Sequence, residues 1–341
     1  MEFYNGQEFE GSPIETKILK GNKFWAMGGF GLDIVAQSER PSLSVLFTGE
    51  IEPKFSGEYD FEIFSIGPSR LTMNGEVLID NWTSQDPGDA FFGMGSAPRR
   101  GKINLEAGKI YSLKVEYKWE GRFPAVQIGM QAPDQFNLMD EAAAIAKDAD
   151  AVILIVGTNS DWETEGNDRD NLDLPSNQNE LVETVCKLNS NTVVVLNTGS
   201  PCEMPWVDEA NAILQCWFPG QEFGNSLADI LFGVVNPSGK LPTTFPKKLS
   251  DTPAFPTYPG KDMQMDYEEG LFIGYRWYDR EEIEPLFPFG HGLSYTTFEY
   301  SDLRAIPPKG ESSVAAFEVA VKNSGNVSGK EIVQGLSLIH I

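Results

Sequence analysis

The run Ala151-Val152-Ile153-Leu154-Ile155-Val156 decides how the middle of this chain folds. A second run, rich in β-branched residues, follows at Thr192–Leu196, and a third at Ala212–Trp217. Apolar residues recur at helical spacing in Asn179–Leu188 and again in Glu222–Phe232. Apolar strands that alternate with helices are typical of a parallel sheet covered on both faces. Ligands bind such α/β folds at the edge where the strands end, so the loops after these runs are the first place to look for a site.

Residues 1–134 have a different pattern, which predicts an all-β domain. Short segments rich in Val, Ile, Tyr and Phe are bounded by Gly, Pro or Asn, as in an antiparallel sandwich. Within Gly57–Phe64 the apolar Tyr59, Phe61 and Ile63 alternate with acidic residues, which predicts one buried and one solvated face. Asn74-Gly75 predicts a tight hairpin turn.

The chain is strongly acidic. Its 341 residues contain 26 Lys and Arg against 50 Asp and Glu, a formal net charge of −24 at pH 7. A negative field of this size repels phosphate backbones and anionic membrane surfaces. We therefore expect no nucleic-acid partner and no membrane partner. The longest aliphatic run, Ala151–Val156, is also far shorter than the ~18 residues that a membrane-spanning helix needs.

Cysteine usage and the first residues bear on the compartment. The three cysteines, Cys186, Cys202 and Cys216, are odd in number and lie in one stretch, so no disulfide framework is expected. This pattern favours a reducing compartment such as the cytoplasm. Met1–Lys20 lacks the basic start and apolar run of a secretory signal. Either the protein is intracellular or Met1 is not the natural start, and the second reading leaves an extracellular location open.

The stretch from Thr158 to Glu183, which follows the first apolar run, is the most acidic part of the chain. It contains one basic residue, Arg169, and eight acids: Asp161, Glu163, Glu165, Asp168, Asp170, Asp173, Glu180 and Glu183. A carboxyl group that crowding keeps protonated near neutral pH can serve as a general acid. The alternative is a solvated surface loop, and composition alone does not choose between the two.

Other patterns do not amount to a site. Asp168 and Asp170 have the spacing of a calcium loop, but Leu172 interrupts it. Gly233–Leu241 resembles a phosphate loop yet has Leu where Ser or Thr would hold magnesium, so we interpret it as the turn that closes the preceding helix. With only two histidines, the chain predicts neither Ser-His-Asp catalysis nor zinc ligation. We expect no metal and no cofactor.

The acidic stretch resembles a known family. Asp161-Trp162-Glu163-Thr164-Glu165-Gly166-Asn167-Asp168-Arg169, followed by Asn171-Leu172-Asp173-Leu174-Pro175, is similar to the acid/base loop of glycoside hydrolase family 3 β-glucosidases. Further blocks agree with that family in the same order: Trp217–Glu222, Asn236–Pro242, Glu269–Tyr278 and Pro285–Tyr295. Together the blocks cover about residues 138–300.

The resemblance implies a multidomain protein. Residues 1–134 resemble the protective antigen-type β-sandwich, a sugar-recognition domain that some members insert. Residues 135–299 resemble the family's C-terminal α/β sandwich domain, with a mainly parallel sheet. Residues 300–341 resemble the truncated start of a fibronectin type III-like β domain, in which Phe317, Val319 and Val321 alternate as in a strand.

The resemblance also implies an activity and its residues. Family members are retaining β-glucosidases that release terminal non-reducing β-D-glucosyl residues, so the expected substrates are small β-glucosides or short oligosaccharides. The acid/base residue of the family aligns with Glu165, and Glu163 is the alternative because loop alignments slip. Trp162, Asp161 and Arg169 are expected to contact the sugar or to orient the acid.

The family's nucleophile is an Asp on an N-terminal barrel domain, and no segment here resembles that barrel. The resemblance therefore implies that this chain is a fragment of a longer enzyme and is inactive alone. Its expected partner is the missing barrel of the same enzyme, and oligomers can form. The ending Gly335–Ile341 resembles a translated sequencing adapter rather than native protein. The alternative function is a non-catalytic carbohydrate-binding or scaffold protein.

Overall fold

The computed structural model describes residues 1–25, 42–120, 123–133, 138–159, 162–165, 168–306 and 316–336. The chain forms two compact units, Met1–Leu138 and Met139–Ile341, and each is described by itself. The fold is mostly β, with several sheets and few helices. Among the described helices, none has both the length and the apolar character needed to span a membrane.

The first unit is built from antiparallel sheets. Its described strands are β1 (Glu2–Asn5), β2 (Glu15–Thr16), β3 (Lys23–Trp25), β4 (Ser42–Ile51), β5 (Gly57–Ile66), β6 (Ser69–Met73), β7 (Glu76–Asn81), β8 (Arg99–Leu105), β9 (Tyr111–Glu120) and β10 (Ala125–Gln131). One sheet has the order β2-β1-β4-β9-β6-β7 and the other β3-β10-β5-β8. A single irregular turn, α1 (Ala90–Gly93), lies between β7 and β8.

Alternation of apolar and polar residues explains the core of this unit. In β5, Tyr59, Phe61 and Ile63 are buried while their neighbours in sequence are more exposed, as predicted. They belong to one hydrophobic cluster with residues of the other sheet, such as Val45 and Val115. Burial of these side chains stabilises the unit, because each fully buried aliphatic or aromatic side chain contributes roughly 1.5–3 kcal/mol.

The predicted hairpin is confirmed at the β6–β7 connection. Asn74 and Gly75 both have positive φ angles, 49° and 88°, as the two central residues of a type I′ turn require. The turn is also held from a neighbouring strand, because the backbone N–H of Ser112 donates a 2.8 Å hydrogen bond to Asn74 Oδ1.

The second unit contains the parallel sheet. Its elements are α2 (Leu138–Asp148), β11 (Val152–Gly157), α3 (Gln178–Leu188), β12 (Thr192–Asn197), β13 (Ala212–Gln215), α4 (Phe223–Leu231), a 3-10 turn (Leu249–Asp251), α5 (Tyr275–Arg280), β14 (Phe298–Ile306) and β15 (Ala316–Asn323). The strands β11, β12 and β13 are neighbours in that order and run parallel. The predicted alternation of apolar strands and helices is confirmed.

Two details of this sheet differ from the prediction. The third strand ends at Gln215 rather than Trp217, because Trp217 has a φ of 56° and leaves the extended conformation. The prediction that the sheet is covered on both faces is wrong for β11 within the described residues. Ile153 and Ile155 are about half exposed, at 51% and 52%, so the face of β11 that carries them is not fully covered by described residues.

The stretch that resembles a phosphate loop closes a helix, as predicted. The backbone N–H of Gly233 donates a 3.0 Å hydrogen bond to the carbonyl of Ile230 at the end of α4. Gly233 has a φ of 71°, and a residue in this left-handed conformation is a common way for a helix to end.

The strands β14 and β15 form an antiparallel pair by themselves. Phe317 and Val321 in β15 are exposed, so the alternation seen in the sequence does not face a core within the described residues. The boundaries predicted at residues 134 and 299 stay predictions. Residues 337–341, most of the ending that resembles an adapter, lie outside the described residues.

Trp206 is expected to be a main stabilising residue of the second unit. It is 1% exposed, lies in the hydrophobic cluster with Leu196 and Phe245, and donates a 2.9 Å hydrogen bond from Nε1 to Asn179 Oδ1. Trp206→Ala should lower the free energy of unfolding of this unit by about 3–5 kcal/mol, the usual cost of truncating a buried Trp. Urea denaturation measures this value.

Trp206→Phe is the matched control, because it keeps an aromatic ring but loses the hydrogen bond to Asn179. We expect a smaller loss, about 1–3 kcal/mol, for the amide oxygen left without its donor. Equal and small effects of both variants would show that the ring does not support this core.

Candidate active site

The candidate site lies at the edge where the three parallel strands end. Thr158 directly follows β11, and its backbone N–H donates a 3.1 Å hydrogen bond to the carbonyl of Asn197, the last residue of β12. The side chain of Gln178, at the start of α3, bonds both backbone groups of Gly157: Oε1 accepts from N–H at 2.7 Å and Nε2 donates to the carbonyl at 2.9 Å. Hydrogen bonds therefore hold the backbone of Gly157 and Thr158, where the acidic loop begins.

Glu163 is held by two donors at this edge. Its Oε1 accepts a 2.5 Å hydrogen bond from Thr158 Oγ1 and a 3.0 Å hydrogen bond from the backbone N–H of Gly199. Its own backbone N–H donates to the carbonyl of Asn159 at 2.8 Å. The carboxylate thus connects the loop to the ends of two neighbouring strands.

Gly199 leaves room for this carboxylate. A Cβ atom at position 199 would lie 2.3 Å from Glu163 Oε2 and 2.6 Å from the ring of Phe218. Carboxylate and ring therefore crowd the same side of Gly199, and any larger residue there would displace one of them.

Glu165 lies two residues further along the loop and differs from Glu163. It is exposed, and its carboxylate accepts no hydrogen bond from any residue within the described ranges.

Arg169 fixes the other end of the loop. Its Nη1 donates to Ser200 Oγ and its Nη2 to the carbonyl of Asp173, both at 3.0 Å. The neighbouring Asp168 accepts a hydrogen bond from the hydroxyl of Tyr258, and this bond raises the pKa of Tyr258. Arg169 therefore contacts the loop and the segment after β12, rather than the carboxylate of Glu165.

Cys202 lies below this arrangement and is fully buried. Burial raises the pKa of its thiol to about 12, with Glu163 adding to the rise and Arg169 opposing it. The thiol is therefore protonated at neutral pH and is not a nucleophile. Cys186 and Cys216 are also free thiols whose pKa values are raised by burial.

Several polar atoms at this edge are buried but have no hydrogen-bond partner among the described residues. They are Trp162 Nε1, Arg169 Nε, Asn197 Oδ1 and Gln215 Oε1. Such atoms are costly unless water or a bound molecule satisfies them. Two of these atoms are donors and two are acceptors.

Of the predicted site residues, the structure brings Glu163 and Arg169 to one segment, Gly199-Ser200, and leaves Glu165 exposed between them. Trp162 adjoins Glu163 and is partly buried. Asp161 lies outside the described residues. No group of three His, Cys, Asp or Glu side chains is arranged for a metal ion in the part of the chain that the structure describes.

Sequence reasoning missed Thr158, Gly199, Ser200 and Tyr258. Thr158 begins the acidic stretch and Gly199-Ser200 follows the second apolar run, so both lie in loops that the rule of strand ends meeting at one edge had singled out, although these residues were not named as site residues. Tyr258 is 90 residues from Asp168 and had no signal in the sequence.

Comparison with known proteins identifies the class. The model of the glycosyl hydrolase family 3 C-terminal domain matches residues 110–295, and the PA14 domain model matches residues 36–135. The chain therefore belongs to glycosyl hydrolase family 3, and the resemblance seen in the motifs is confirmed.

Individual relatives extend this result. The chain is 38% identical to a "Beta-glucosidase" of Rhizobium radiobacter over 346 residues, covering 98% of this chain and 42% of the relative. It is 40% identical to a "Probable beta-glucosidase I" of Aspergillus clavatus, covering 85% of this chain and 37% of the relative. The chain thus spans about two fifths of the length of these relatives.

Solved structures agree with the sequence comparison. The selenomethionine-labelled β-glucosidase of Kluyveromyces marxianus has a TM-score of 0.81 and 38% identity, over 96% of this chain and 39% of that chain. The same enzyme in complex with glucose has a TM-score of 0.74 and 41% identity, over 84% of this chain and 34% of that chain.

Proposed function

We propose that this chain carries the acid/base residue of a retaining β-glucosidase that acts on terminal non-reducing β-D-glucosyl residues. The observation that carries the proposal is the state of Glu165, an exposed carboxylate without a hydrogen bond to described residues, on a loop anchored on both sides of it. The β-glucosidase relatives and the glucose complex of the Kluyveromyces marxianus enzyme support the substrate class.

In the proposed reaction the carboxyl group of Glu165 protonates the glycosidic oxygen while a second carboxylate attacks the anomeric carbon. The leaving alcohol departs and a covalent glycosyl-enzyme forms. Glu165, now ionised, takes a proton from water, and that water cleaves the glycosyl-enzyme and regenerates both carboxyl groups. Proton transfer and covalent catalysis account for every step, so neither a metal nor an organic cofactor is invoked.

The nucleophile of this proposal is carried by a segment outside these 341 residues. The chain covers about two fifths of its relatives, which leaves room in the longer protein for a nucleophile-bearing barrel. We call the protein that contains both parts the parent enzyme. The two catalytic carboxyl groups of a retaining glycosidase stand ~5–5.5 Å apart, so the barrel would have to close over the edge that carries Glu165.

The remaining residues of the site receive supporting roles. Trp162 offers an aromatic face for a sugar ring and a buried N–H without a partner among the described residues, while the adjacent Asp161 is proposed to bind a sugar hydroxyl. Arg169 is proposed to orient the loop, since its bonds go to Ser200 and Asp173. We further propose that β14 and β15 begin a fibronectin type III-like domain.

The stereochemistry of hydrolysis tests the proposed function. The parent enzyme should release β-glucose first from an aryl β-glucoside, because two displacements at the anomeric carbon retain its configuration. Proton NMR distinguishes the anomers before they equilibrate. First release of α-glucose would contradict the retaining mechanism, and absence of turnover by the parent enzyme would favour a carbohydrate-binding protein.

A further inference from the structure

Both oxygens of Glu163 are turned toward the protein. Oε1 accepts from Thr158 and from the backbone of Gly199. Oε2 lies so close to Gly199 that a Cβ atom there would be 2.3 Å away. An acid must point one oxygen at the leaving group, whereas this carboxylate has both oxygens against the segment after β12.

The position of Glu163 in the loop matters as much as its contacts. Glu163 and Arg169 bind two adjacent residues, Gly199 through its N–H and Ser200 through its hydroxyl. Glu163 and Arg169, six positions apart, are thus both attached to the same short segment. In the sequence, Glu165 lies between these two attached positions.

An ionised carboxylate at Glu163 strengthens the hydrogen bonds that its Oε1 accepts from Thr158 and Gly199. Hydrogen bonds to an ionised acceptor are roughly twice as strong as those between neutral groups. A neutral amide at the same position keeps an acceptor oxygen of the same shape, so the connection would weaken but survive.

We propose that Glu163 is a positioning residue that ties the acid/base loop to the ends of β11 and β12 and thereby places Glu165, and that it does not itself transfer a proton to substrate. This inference rests on the proposed function for its consequence in catalysis. The hydrogen bonds of Glu163 exist whether or not the protein is a glucosidase. The connection and the proposed function can therefore be tested separately.

The first test measures the loop in the 341-residue chain by hydrogen exchange. Glu163→Ala should raise the exchange rate of the Gly199 amide at least about tenfold, because the amide loses its acceptor, while the amides of β12 change little. Glu163→Gln should leave the exchange within about threefold of the original chain. Asp170→Ala is the matched control, since Asp170 is an exposed acid of the same loop with no side-chain hydrogen bond among the described residues.

The second test measures catalysis in the parent enzyme. Misplacing a reacting group by about 1 Å can cost ~100-fold in rate, so Glu163→Ala should lower kcat for alkyl β-glucosides by about 10–100-fold with KM changed less than about threefold. Glu163→Gln should restore kcat to within about fivefold. If Gln is as damaging as Ala, Glu163 acts as an acid and the proposal is overturned.

A second pair of variants keeps the test decisive if Glu163→Ala does not fold. Thr158→Val removes one donor to Glu163 Oε1 and should lower kcat several-fold, whereas Thr158→Ser keeps the hydroxyl and should restore it. Unchanged exchange at Gly199 in Glu163→Ala would contradict the connection itself. If Gly199 exchanges faster in Glu163→Ala as expected but the parent enzyme shows no turnover, the hydrogen-bonded connection through Glu163 is supported and the proposed function is rejected.

Discussion

Glu165→Gln is expected to lower kcat/KM of the parent enzyme for alkyl β-glucosides by about 10²–10⁴-fold, the range that a positioned general acid supplies. An alkoxide is a poor leaving group and needs the proton. A dinitrophenolate leaves readily as an anion, so kcat/KM for dinitrophenyl β-glucoside should change far less. Measuring kcat/KM across a series of glucosides with different leaving groups checks both statements.

The same variant should also lose the base that activates water. Hydrolysis of the glycosyl-enzyme then becomes slow, and kcat on the activated substrate falls together with KM. Azide attacks the anomeric carbon without a base, so its addition should raise kcat and yield glucosyl azide.

Glu163→Gln is the matched control because it makes the same change two residues away. It should show neither the dependence on the leaving group nor the response to azide. An equal loss on alkyl and dinitrophenyl substrates for Glu165→Gln would argue against an acid role for Glu165. The leaving-group dependence appearing in Glu163→Gln instead would assign the acid to Glu163.

The 341-residue chain alone is expected to hydrolyse 4-nitrophenyl β-glucoside at least about 10⁴-fold more slowly than the parent enzyme. The carboxylates of a double displacement act as a unit, and loss of one member of such a unit removes most of the rate. Steady-state assays of both proteins at equal molar concentration measure the ratio, and circular dichroism verifies that the chain is folded. Ordinary turnover by this chain would place a nucleophile within the 341 residues and contradict the proposal.

The fold class could be predicted from local patterns. The runs Ala151–Val156 and Thr192–Leu196 are largely apolar and separated by a helical period, and the structure pairs β11 with β12 residue by residue as parallel neighbours. In β5, alternation with period two puts Tyr59 and Phe61 in the core. Periodicity succeeds here because it records which face of an element is removed from water.

Predictions that depend on neighbours in space were less complete. The exposed face of Ile153 and Ile155 could not be foreseen, because cover on a strand depends on elements elsewhere in the chain. The end of β13 was misplaced because Trp217 is a residue type favoured in strands but has a positive φ of 56°, outside the extended conformation.

The sequence by itself determined the family and singled out the acidic loop that carries the proposed acid, because both follow from residue types at fixed spacings. It left Glu163 and Glu165 as alternatives, since two carboxylates in one acidic loop have the same chemistry. Only the tertiary structure gives the two side chains different surroundings. The parallel pairing of β11 and β12 brings Gly199 against Glu163, 36 positions earlier in the chain, and so satisfies one carboxylate while the other stays open to solvent.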